Sequence, residues 1–582
     1  MNEVLLEALV FLLPLIGAGI ISLKEKLYKT APFYPLISLI LVFLRGFEAN
    51  LVKVRWLPIA DFGIWWSKLG VVFTIVILTI SSIVLFYSLT YMKKTKALRR
   101  FYSLMLVFTW AMVGLALSPD LIQLFFFWEL TTLCSYFLIN FNFKKRKARI
   151  AGAEAFIITK FGDLALLIGI FLLFLQTKTT LIPEILSSTV PATVLFYVAI
   201  LFAIAGFAKA AQVPFQIWLP DAMEAPTPVS AFLHSATLVQ APVYFFAVFY
   251  PLISQTPVWH FVLYFAAISG IITGLFALGS EDIKRIAAYS TTSQISYMII
   301  AVGLSWKGIT AGMFYLASHA MFKSLMFMCS GNIIHLTGER NIKRIGSIAR
   351  EMPYTFIIFS LAILSLAAIP PLNGFWSKEF MFVALKNTKL KILIDIGFVI
   401  TVMYAMRLLY YLYKGPKKVS LKIAPAGLLI PEFITLLLMI SLIPLTPLYS
   451  NLMGTQLPFK WIIDPFVLIL IGFVGFYIYY EYLPRWQKKE LYMLSTKLSS
   501  WYDKLAINTM KVITKILNAK ERIWEKIETR YVKFVVENPG MLKLISKTSR
   551  SLEVFTPKSL EKSIAIAFIG IVIIMVISCS GL

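Results

Sequence analysis

Long apolar runs separated by short polar or basic connections dominate the chain from its first residues to about residue 480. Because about 20 consecutive apolar residues suffice for a helix to cross a bilayer, each run predicts a membrane-spanning helix, and we place about sixteen of them. They are residues 4–23, 31–47, 70–91, 101–118, 120–141, 153–175, 191–211, 229–250, 259–279, 285–303, 309–334, 354–386, 391–412, 424–445, 461–481 and 562–580. The first run is preceded by acidic residues and has no basic n-region, so we interpret it as a span and not as a cleaved signal peptide.

The basic residues alternate between the two ends of these spans. Connections that follow odd-numbered spans carry most of the lysine and arginine: residues 24–29, 93–100, 144–149, 284–285, 343–350 and 414–418. Since basic connections remain in the cytoplasm, this face is predicted to be cytoplasmic and the N-terminus to lie outside.

Two of the spans are interrupted in a similar way. In the seventh, Pro214 follows Lys209 by five residues, and in the twelfth, Pro370 and Pro371 precede Lys378. Interrupted helices at corresponding positions of two five-helix units are typical of inverted-repeat transporters. The connection 212–228 is predicted to face the cytoplasm and to admit water to Lys209.

The predicted fold is therefore an all-α polytopic membrane protein with two inverted five-helix repeats, broken in helices 7 and 12. After Arg485 the chain becomes basic, and apolar residues recur every three or four positions. This pattern predicts a long amphipathic lateral helix on the cytoplasmic surface, followed by an anchor helix. The predicted divisions are residues 1–100 (helices 1–3), 101–250 (first repeat), 259–412 (second repeat), 424–481 (helices 14 and 15), 486–560 (lateral helix) and 562–580 (anchor).

Composition agrees with a membrane location and limits the chemistry. Of the 582 residues 59% are hydrophobic and 14% charged, with a mean hydropathy of +0.80, which excludes an ordinary soluble protein. We assign the net charge of +26 to the basic connections and to attraction by anionic lipid, not to nucleic acid. The three cysteines are scattered and no GxGxxG motif is present, so no cofactor and no metal site is predicted in this chain.

Ionisable residues inside apolar runs are the candidate functional groups. Burying such a group in a membrane is costly, so its presence there indicates a functional role. Glu129 in the fifth span is predicted to pair with Lys209. Asp163 follows Lys160 by three residues on one helical face, where an interfacial ion pair and a functional role are both open. His234, in the eighth span, is a proton-relay candidate.

The second half of the chain carries a similar series. His319 and Lys323 lie four residues apart, and hence on one face of the eleventh span. Lys378, Glu379 and Arg407 extend the series, with the last two in supporting roles. Lys284 and Arg285 are interpreted as interfacial anchors. Together these groups predict movement of protons or small cations across the membrane.

Five stretches resemble a known family. They are FWELTTLCSYFLI, AKAAQVPFQIWLPDAMEAPTPVSAFLHSATLV, SEDIKRIAAYSTTSQISYM, HAMFKSLMFMCSGNIIH and PPLNGFWSKEF. Over residues 60–480 the chain resembles the antiporter-like subunits of respiratory complex I, of Mrp-type Na+/H+ antiporters and of archaeal membrane-bound hydrogenase and sulfur-reductase complexes. The resemblance implies that Glu129, Lys209, His234, Lys323 and Lys378 belong to a proton-translocation path.

Three hypotheses for function follow. The first is a proton- or Na+-translocating subunit of a redox-driven complex in the plasma membrane of a prokaryote, whose lateral helix contacts neighbouring membrane subunits. The second is a subunit of a redox-independent Mrp-type antiporter, although Mrp large subunits usually carry further C-terminal domains. The third is a structural scaffold, which the intact series of charges disfavours.

Overall fold

The structure is a computed structural model that describes residues 3–385, 389–415, 423–457, 463–478 and 480. The chain divides into two compact units, Met1–Thr496 and Lys497–Leu582, and all described residues belong to the first. The lateral helix predicted over 486–560 and the anchor predicted over 562–580 lie outside the described residues.

Helices make up most of this unit, as the apolar runs predict. Their bounds are α1 Glu3–Leu23, α2 Phe33–Arg45, α3 Lys68–Tyr91, α4 Leu98–Ala116, α5 Leu121–Ile139, α6 Arg146–Thr177, α7 Ile182–Ser187, α8 Ala192–Lys209, α9 Trp218–Asp221, α10 Thr227–Leu233, α11 Ala241–Ile253, α12 Pro257–Gly279, α13 Ile283–Leu304, α14 Trp306–Thr337, α15 Ile348–Glu351, α16 Pro353–Leu366, α17 Asn373–Ala384, α18 Lys389–Lys414, α19 Ala426–Ser441, α20 Thr446–Met453 and α21 Ile463–Tyr477. Short 3-10 helices cover Glu25–Thr30 and Ala222–Glu224.

The described residues contain nine helices that are long and apolar enough to cross a bilayer, or ten if the bent pair α19 and α20 forms one crossing. The chain is therefore a mainly helical, polytopic membrane protein. The larger predicted number of spans is not confirmed. One reason is that interrupted runs fold into short helices, such as α16 with 14 residues and α17 with 12.

The prediction of an all-α chain is wrong in the connection between α2 and α3. Strands β1 (Asn50–Leu57) and β2 (Ala60–Trp66) form an antiparallel hairpin there. The valine, isoleucine and tryptophan content of this connection favours extended backbone. Gln123 of α5 exchanges two hydrogen bonds with the backbone of Gly63, at 2.8 and 2.9 Å. A side-chain amide thus holds β2 against the helices.

The two predicted breaks share one backbone turn. After α8 the amide of Gln212 donates to the carbonyl five residues earlier at 2.9 Å, and after α16 the amide of Ile369 does the same at 2.9 Å. The preceding residues, Ala211 and Ala368, have positive φ values of 52° and 59°, which are uncommon for alanine. A repeated turn of this kind supports an internal repeat.

A third break interrupts the predicted eighth span, so the expectation of one continuous helix over 229–250 is wrong. Helix α10 ends at Leu233 and α11 begins at Ala241. Hydroxyl groups compete for the backbone between them: Thr237 Oγ1 donates to the carbonyl of Phe232 at 2.7 Å. His234 therefore lies in a turn and not within a helix.

The connection 212–228 is more compact than the sequence suggests. It contains α9 and a 3-10 helix, and Gln212 and Gln216 are buried. The Trp218 indole donates to the carbonyl of Ala208 at 3.0 Å, which fixes α9 against the end of α8. Most of this connection is therefore packed against the helices.

Small residues bring α6 and α8 close together. Gly162 of α6 lies against Ala205 and Ala208 of α8, and a side-chain carbon at position 162 would lie 2.5 Å from the Ala208 methyl carbon. This contact places Asp163 of α6 beside Lys209 of α8.

We expect Gly162→Ala to lower the thermal unfolding temperature of the purified protein. Overpacking of this kind costs about 1–3 kcal/mol, because the neighbouring helix must move. Gly475→Ala is the control, since the added carbon would meet its nearest atoms, those of Met403, at 3.5 Å or more. Equal unfolding temperatures for Gly162→Ala and the wild type would contradict the close approach of α6 and α8.

Candidate functional site

Asp163 and Lys209 form one buried polar site beside α5. Asp163 accepts hydrogen bonds from Trp128 Nε1 at 2.7 Å and from Thr132 Oγ1 at 3.1 Å. Lys209 Nζ donates to the Trp128 carbonyl at 2.7 Å and to Thr132 Oγ1 at 3.1 Å. The exposed fractions of Asp163 and Lys209 are 1% and 0%. Two residues one turn apart on α5 thus hold both an acid and a base.

The predicted pair of Glu129 with Lys209 does not form. Glu129 pairs with Lys160 instead, and both side chains are half-buried. Successive helical residues point about 100° apart, so Glu129 faces α6 while Trp128 faces Lys209. Lys160 Nζ also lies 3.9 Å from Asp163 Oδ2, in the i, i+3 arrangement that the sequence predicts. Lys160 therefore stands between the two carboxylates.

The break after α8 is joined to α13 by side-chain hydrogen bonds. Gln212 Oε1 accepts from Ser296 Oγ at 2.7 Å, and Gln212 Nε2 donates to the carbonyl of Thr292 at 3.2 Å. The backbone amide of Val213 donates to Ser269 Oγ at 3.0 Å. Polar contacts thus continue from the Lys209 region into the centre of the bundle.

His234 is fully buried in the turn between α10 and α11. Neither ring nitrogen has a hydrogen-bond partner among the residues that the structure describes. The rings of Trp218 and Phe327 lie 6.1 and 6.2 Å away. The imidazole ring is thus held in place by packing against aromatic side chains.

His319 and Lys323 are both buried on α14, one turn apart, but they contact different elements. His319 Nδ1 lies 2.6 Å from Gln240 Nε2 and 3.2 Å from the carbonyl of Ser235, in the turn that contains His234. Lys323 Nζ donates to Ser290 Oγ and, at 3.1 Å, to a carbonyl of α13. Helix α14 therefore connects the third break with α13.

Lys284 differs from the interfacial anchor that the sequence suggests. Its exposed fraction is 4%, and its Nζ donates to the carbonyls of Met223 and Ala225 at 3.0 and 2.9 Å. Arg285 is half-exposed and pairs with Asp221. Lys284 is thus a further buried cation beside the connection 212–228.

Lys378 and Glu379 are buried in the middle of α17. Lys378 Nζ donates to the carbonyl of Leu366, the last residue of α16, at 2.6 Å, and lies 5.0 Å from the Phe398 ring. The ammonium group therefore reaches back across the second break.

The two lysines at the breaks do not occupy equivalent positions. Aligning the shared turn, Gln212 with Ile369, places Lys209 opposite Leu366 and not opposite Lys378. The sequence places a lysine at each of the two corresponding breaks, but the structure gives the two lysines different positions relative to the shared turn. Lys378 nevertheless hydrogen-bonds to the Leu366 carbonyl, so its ammonium group lies beside the counterpart of Lys209.

Arg407 lies at the edge of the bundle. Its Nη1 donates to the carbonyl of Ser280 at 2.7 Å, in the connection between α12 and α13. Burial alone would raise the pKa of the adjacent Glu281, but hydrogen bonds from Lys343 and Asn341 outweigh burial and lower that pKa. Arg407 therefore neighbours an ionised surface cluster.

Uncharged groups between the lysines are absent from the sequence-based set. Gln294 Oε1 accepts from the Tyr315 hydroxyl at 2.6 Å, and its Nε2 donates to the Tyr404 hydroxyl at 3.2 Å, which joins α13, α14 and α18. The available signal is the polar run Ser-Thr-Thr-Ser-Gln at 290–294, inside a predicted span. A search restricted to ionisable groups passes over it.

Within the described ranges, no group of three or more histidine, cysteine, aspartate or glutamate side chains could hold a metal ion.

Two families match the chain. Residues 118–404 match the family described as NADH:quinone oxidoreductase/Mrp antiporter, TM. Residues 56–102 match the family described as NADH-Ubiquinone oxidoreductase (complex I), chain 5 N-terminus. These ranges include strand β2, all three breaks and each candidate residue except Arg407.

Curated relatives of similar sequence are antiporter subunits. Na(+)/H(+) antiporter subunit A1 of Staphylococcus haemolyticus is 36% identical over 455 residues, which is 69% of this chain and 56% of that protein. The subunit of the same name from Staphylococcus aureus is 38% identical over 403 residues, or 63% of this chain and 50% of that protein. The chain thus spans about half the length of these relatives.

Solved structures share the fold. The Mrp complex from a Dietzia species aligns with a TM-score of 0.78 and 25% identity, covering 100% of this chain and 63% of that chain. The membrane-bound sulfane sulfur reductase, an archaeal respiratory membrane complex, aligns with a TM-score of 0.69 and 21% identity, covering 82% of this chain and 99% of that chain. The second likeness concerns the fold alone. This chain belongs to the antiporter-like superfamily of membrane subunits that includes those of complex I and of Mrp antiporters.

Proposed function

We propose that this antiporter-like membrane subunit translocates protons as one part of a larger complex. The observation that carries the proposal is the buried site in which Asp163 and Lys209 share the hydroxyl group of Thr132. Ionisable groups buried in a membrane are costly to maintain and mark proton paths in pumps and transporters. A scaffold would have no use for such a site.

The first step is an exchange of ion-pair partners. Lys160 contacts both Glu129 and Asp163, whereas Lys209 meets Asp163 through Thr132. A proton that binds to Asp163 removes the negative charge that keeps Lys209 positive, and Lys209 then releases its own proton. Movement of Lys160 away from Asp163 toward Glu129 has the opposite effect, because it removes a positive charge from beside Lys209 and leaves the Asp163 carboxylate to hold the Lys209 proton.

The proton then moves inward along polar side chains. Gln212 and Ser296 lead from the first break to α13, where Ser290 contacts Lys323. Hydroxyl and amide groups such as these orient water molecules between the ions. In the proposed path His234 and His319 exchange protons near the third break, and Lys378 receives them at the second.

We favour a redox-driven complex as the source of energy, in line with the complex I families that the chain matches. An Mrp-type antiporter is the second candidate, and the 36% identity to an Na(+)/H(+) antiporter subunit favours it. The translocated ion is the proton in the first case, and Na+ is exchanged against it in the second. In both, the partners are other membrane subunits, and this chain contributes no cofactor.

The finer architecture belongs to the same proposal. It comprises sixteen spans, inverted repeats over 101–250 and 259–412, and a lateral helix that contacts neighbouring subunits. The shared turn of the two breaks supports the repeats. We place the chain in the plasma membrane of a prokaryote, with the N-terminus outside and the lateral helix on the cytoplasmic side.

Removing the central cation tests the proposed function. We expect Lys209→Met to lower proton pumping by the purified complex in vesicles at least about tenfold, which corresponds to about 1.4 kcal/mol. Lys147→Met, at an exposed position of α6, is the matched control. Wild-type pumping by Lys209→Met in a fully assembled complex would leave the scaffold as the better explanation.

The bridging position of Lys160 leads to a second prediction. Glu129→Gln and Lys160→Met should each reduce pumping, and the double variant should be no worse than the more damaging single one, because the residues act as a unit. Pumping rates of the four proteins in vesicles form the required cycle. Independent, multiplicative losses would show that Glu129 and Lys160 do not act as a unit.

The composition of the complex separates the two energy sources. A redox-driven complex should co-purify with iron–sulfur subunits and pump when given an electron donor. An Mrp-type complex should lack them and exchange Na+ for protons across sealed vesicles. Isolation from native membranes, with each assay performed on the same preparation, decides between them.

A further inference from the structure

Glu432 is a fully buried carboxylate on α19, outside the site described above. Asn332 Nδ2 of α14 donates to its Oε1 at 2.6 Å, and the Cys329 thiol, about one turn earlier, is a further hydrogen-bond neighbour. Glu432 Oε2 has no hydrogen-bond partner among the described residues. One oxygen of this carboxylate is thus held and the other is open.

No cation compensates this group within the part of the chain that the structure describes. The titratable side chains that face it are Cys329 from α14 and Tyr87 from α3. Helix α16 also contacts α19, and its one titratable residue, Tyr354, is exposed. An ionised carboxylate buried without a cation is costly. The neutral form, with a proton on the open oxygen, avoids that cost.

A line of aromatic and polar groups leads from Glu432 toward one end of the bundle. The Tyr87 hydroxyl donates to Asn332 Oδ1 at 3.0 Å, and the Tyr87 ring stacks on Tyr91 at 5.5 Å. The ring of Tyr91 is 5.4 Å from that of His335, which is exposed. Exposure therefore increases from Glu432 through the tyrosines to His335.

The ends of three helices agree with this direction. Tyr91 is the last residue of α3, and Asn332 lies five residues before the end of α14. Glu432 is six residues inside the start of α19, which corresponds to a depth of about 9 Å. The basic connection 343–350, which follows α14, belongs to this same end. A proton has a short path from that face to Glu432.

We propose that Glu432 is a proton-binding site, separate from the lysine series, that exchanges with the face on which His335 lies. Tyr87 and Tyr91 line the route. A metal cation is a poorer occupant, because hard cations need several oxygen ligands. Here Asn332 presents an N–H group to the carboxylate, and its oxygen already accepts from Tyr87.

Infrared spectroscopy of the purified complex in lipid vesicles tests the site directly. At neutral pH the wild type should show the C=O stretch of a protonated carboxyl group, and Glu432→Gln should remove that component. Glu184→Gln, at an exposed carboxylate of α7, is the matched control and should leave it unchanged. If Glu432→Gln fails to assemble, Glu432→Asp is measured in its place and should retain the component at a shifted frequency. Identical spectra for Glu432→Gln and the wild type would overturn the proposal.

The route is tested by the rate at which this component shifts after transfer to D2O. Tyr91→Phe and His335→Ala should slow the shift by about tenfold, equivalent to about 1.4 kcal/mol in the barrier. Tyr197→Phe, at an exposed tyrosine of α8, should not. Wild-type exchange in both Tyr91→Phe and His335→Ala would overturn the route. Neither readout requires transport, so Lys209→Met should leave both unchanged, and failure here is distinguishable from failure of the proposed function.

Discussion

The hydroxyl group of Thr132 makes the interaction on which the rest of the site depends. It donates a hydrogen bond to Asp163 and accepts one from Lys209. A single hydroxyl group therefore orients both ionisable side chains. Charges in a medium of low polarity interact strongly over several ångströms. The state of either group is therefore felt by the other, although a neutral side chain lies between them.

Close helix packing makes this arrangement possible. Gly162 precedes Asp163 and lies against Ala208, which precedes Lys209, so the smallest side chains stand directly beside the charged ones. In a membrane, small residues allow helices to approach without any hydrophobic driving force between them. The small side chains beside Asp163 and Lys209 thus let α6 and α8 approach closely enough to bring the two ionisable groups together.

The sequence predicts a helical membrane protein and the two breaks near Pro214 and Pro370, because the length of an apolar run and a proline within it are local features of the chain. It predicts pairing poorly. Glu129 and Lys209 are the obvious partners by charge, yet a rotation of about 100° per residue directs Glu129 to Lys160. The hairpin at residues 50–66 depends on Gln123, 60 residues away from Gly63. Such contacts follow from tertiary packing and leave no local pattern, and the third break follows from hydroxyl competition that hydropathy does not register.

The shared turn after α8 and α16 has an electrostatic consequence. A helix that stops inside the bundle leaves carbonyl groups without amide partners, and its C-terminus carries a partial negative charge. Lys209 is the last residue of α8, and Lys378 donates to the last carbonyl of α16. The C-terminal carbonyl groups of each interrupted helix thus stabilise the positive charge of a lysine. Unlike a carboxylate, they do so without being able to take up its proton.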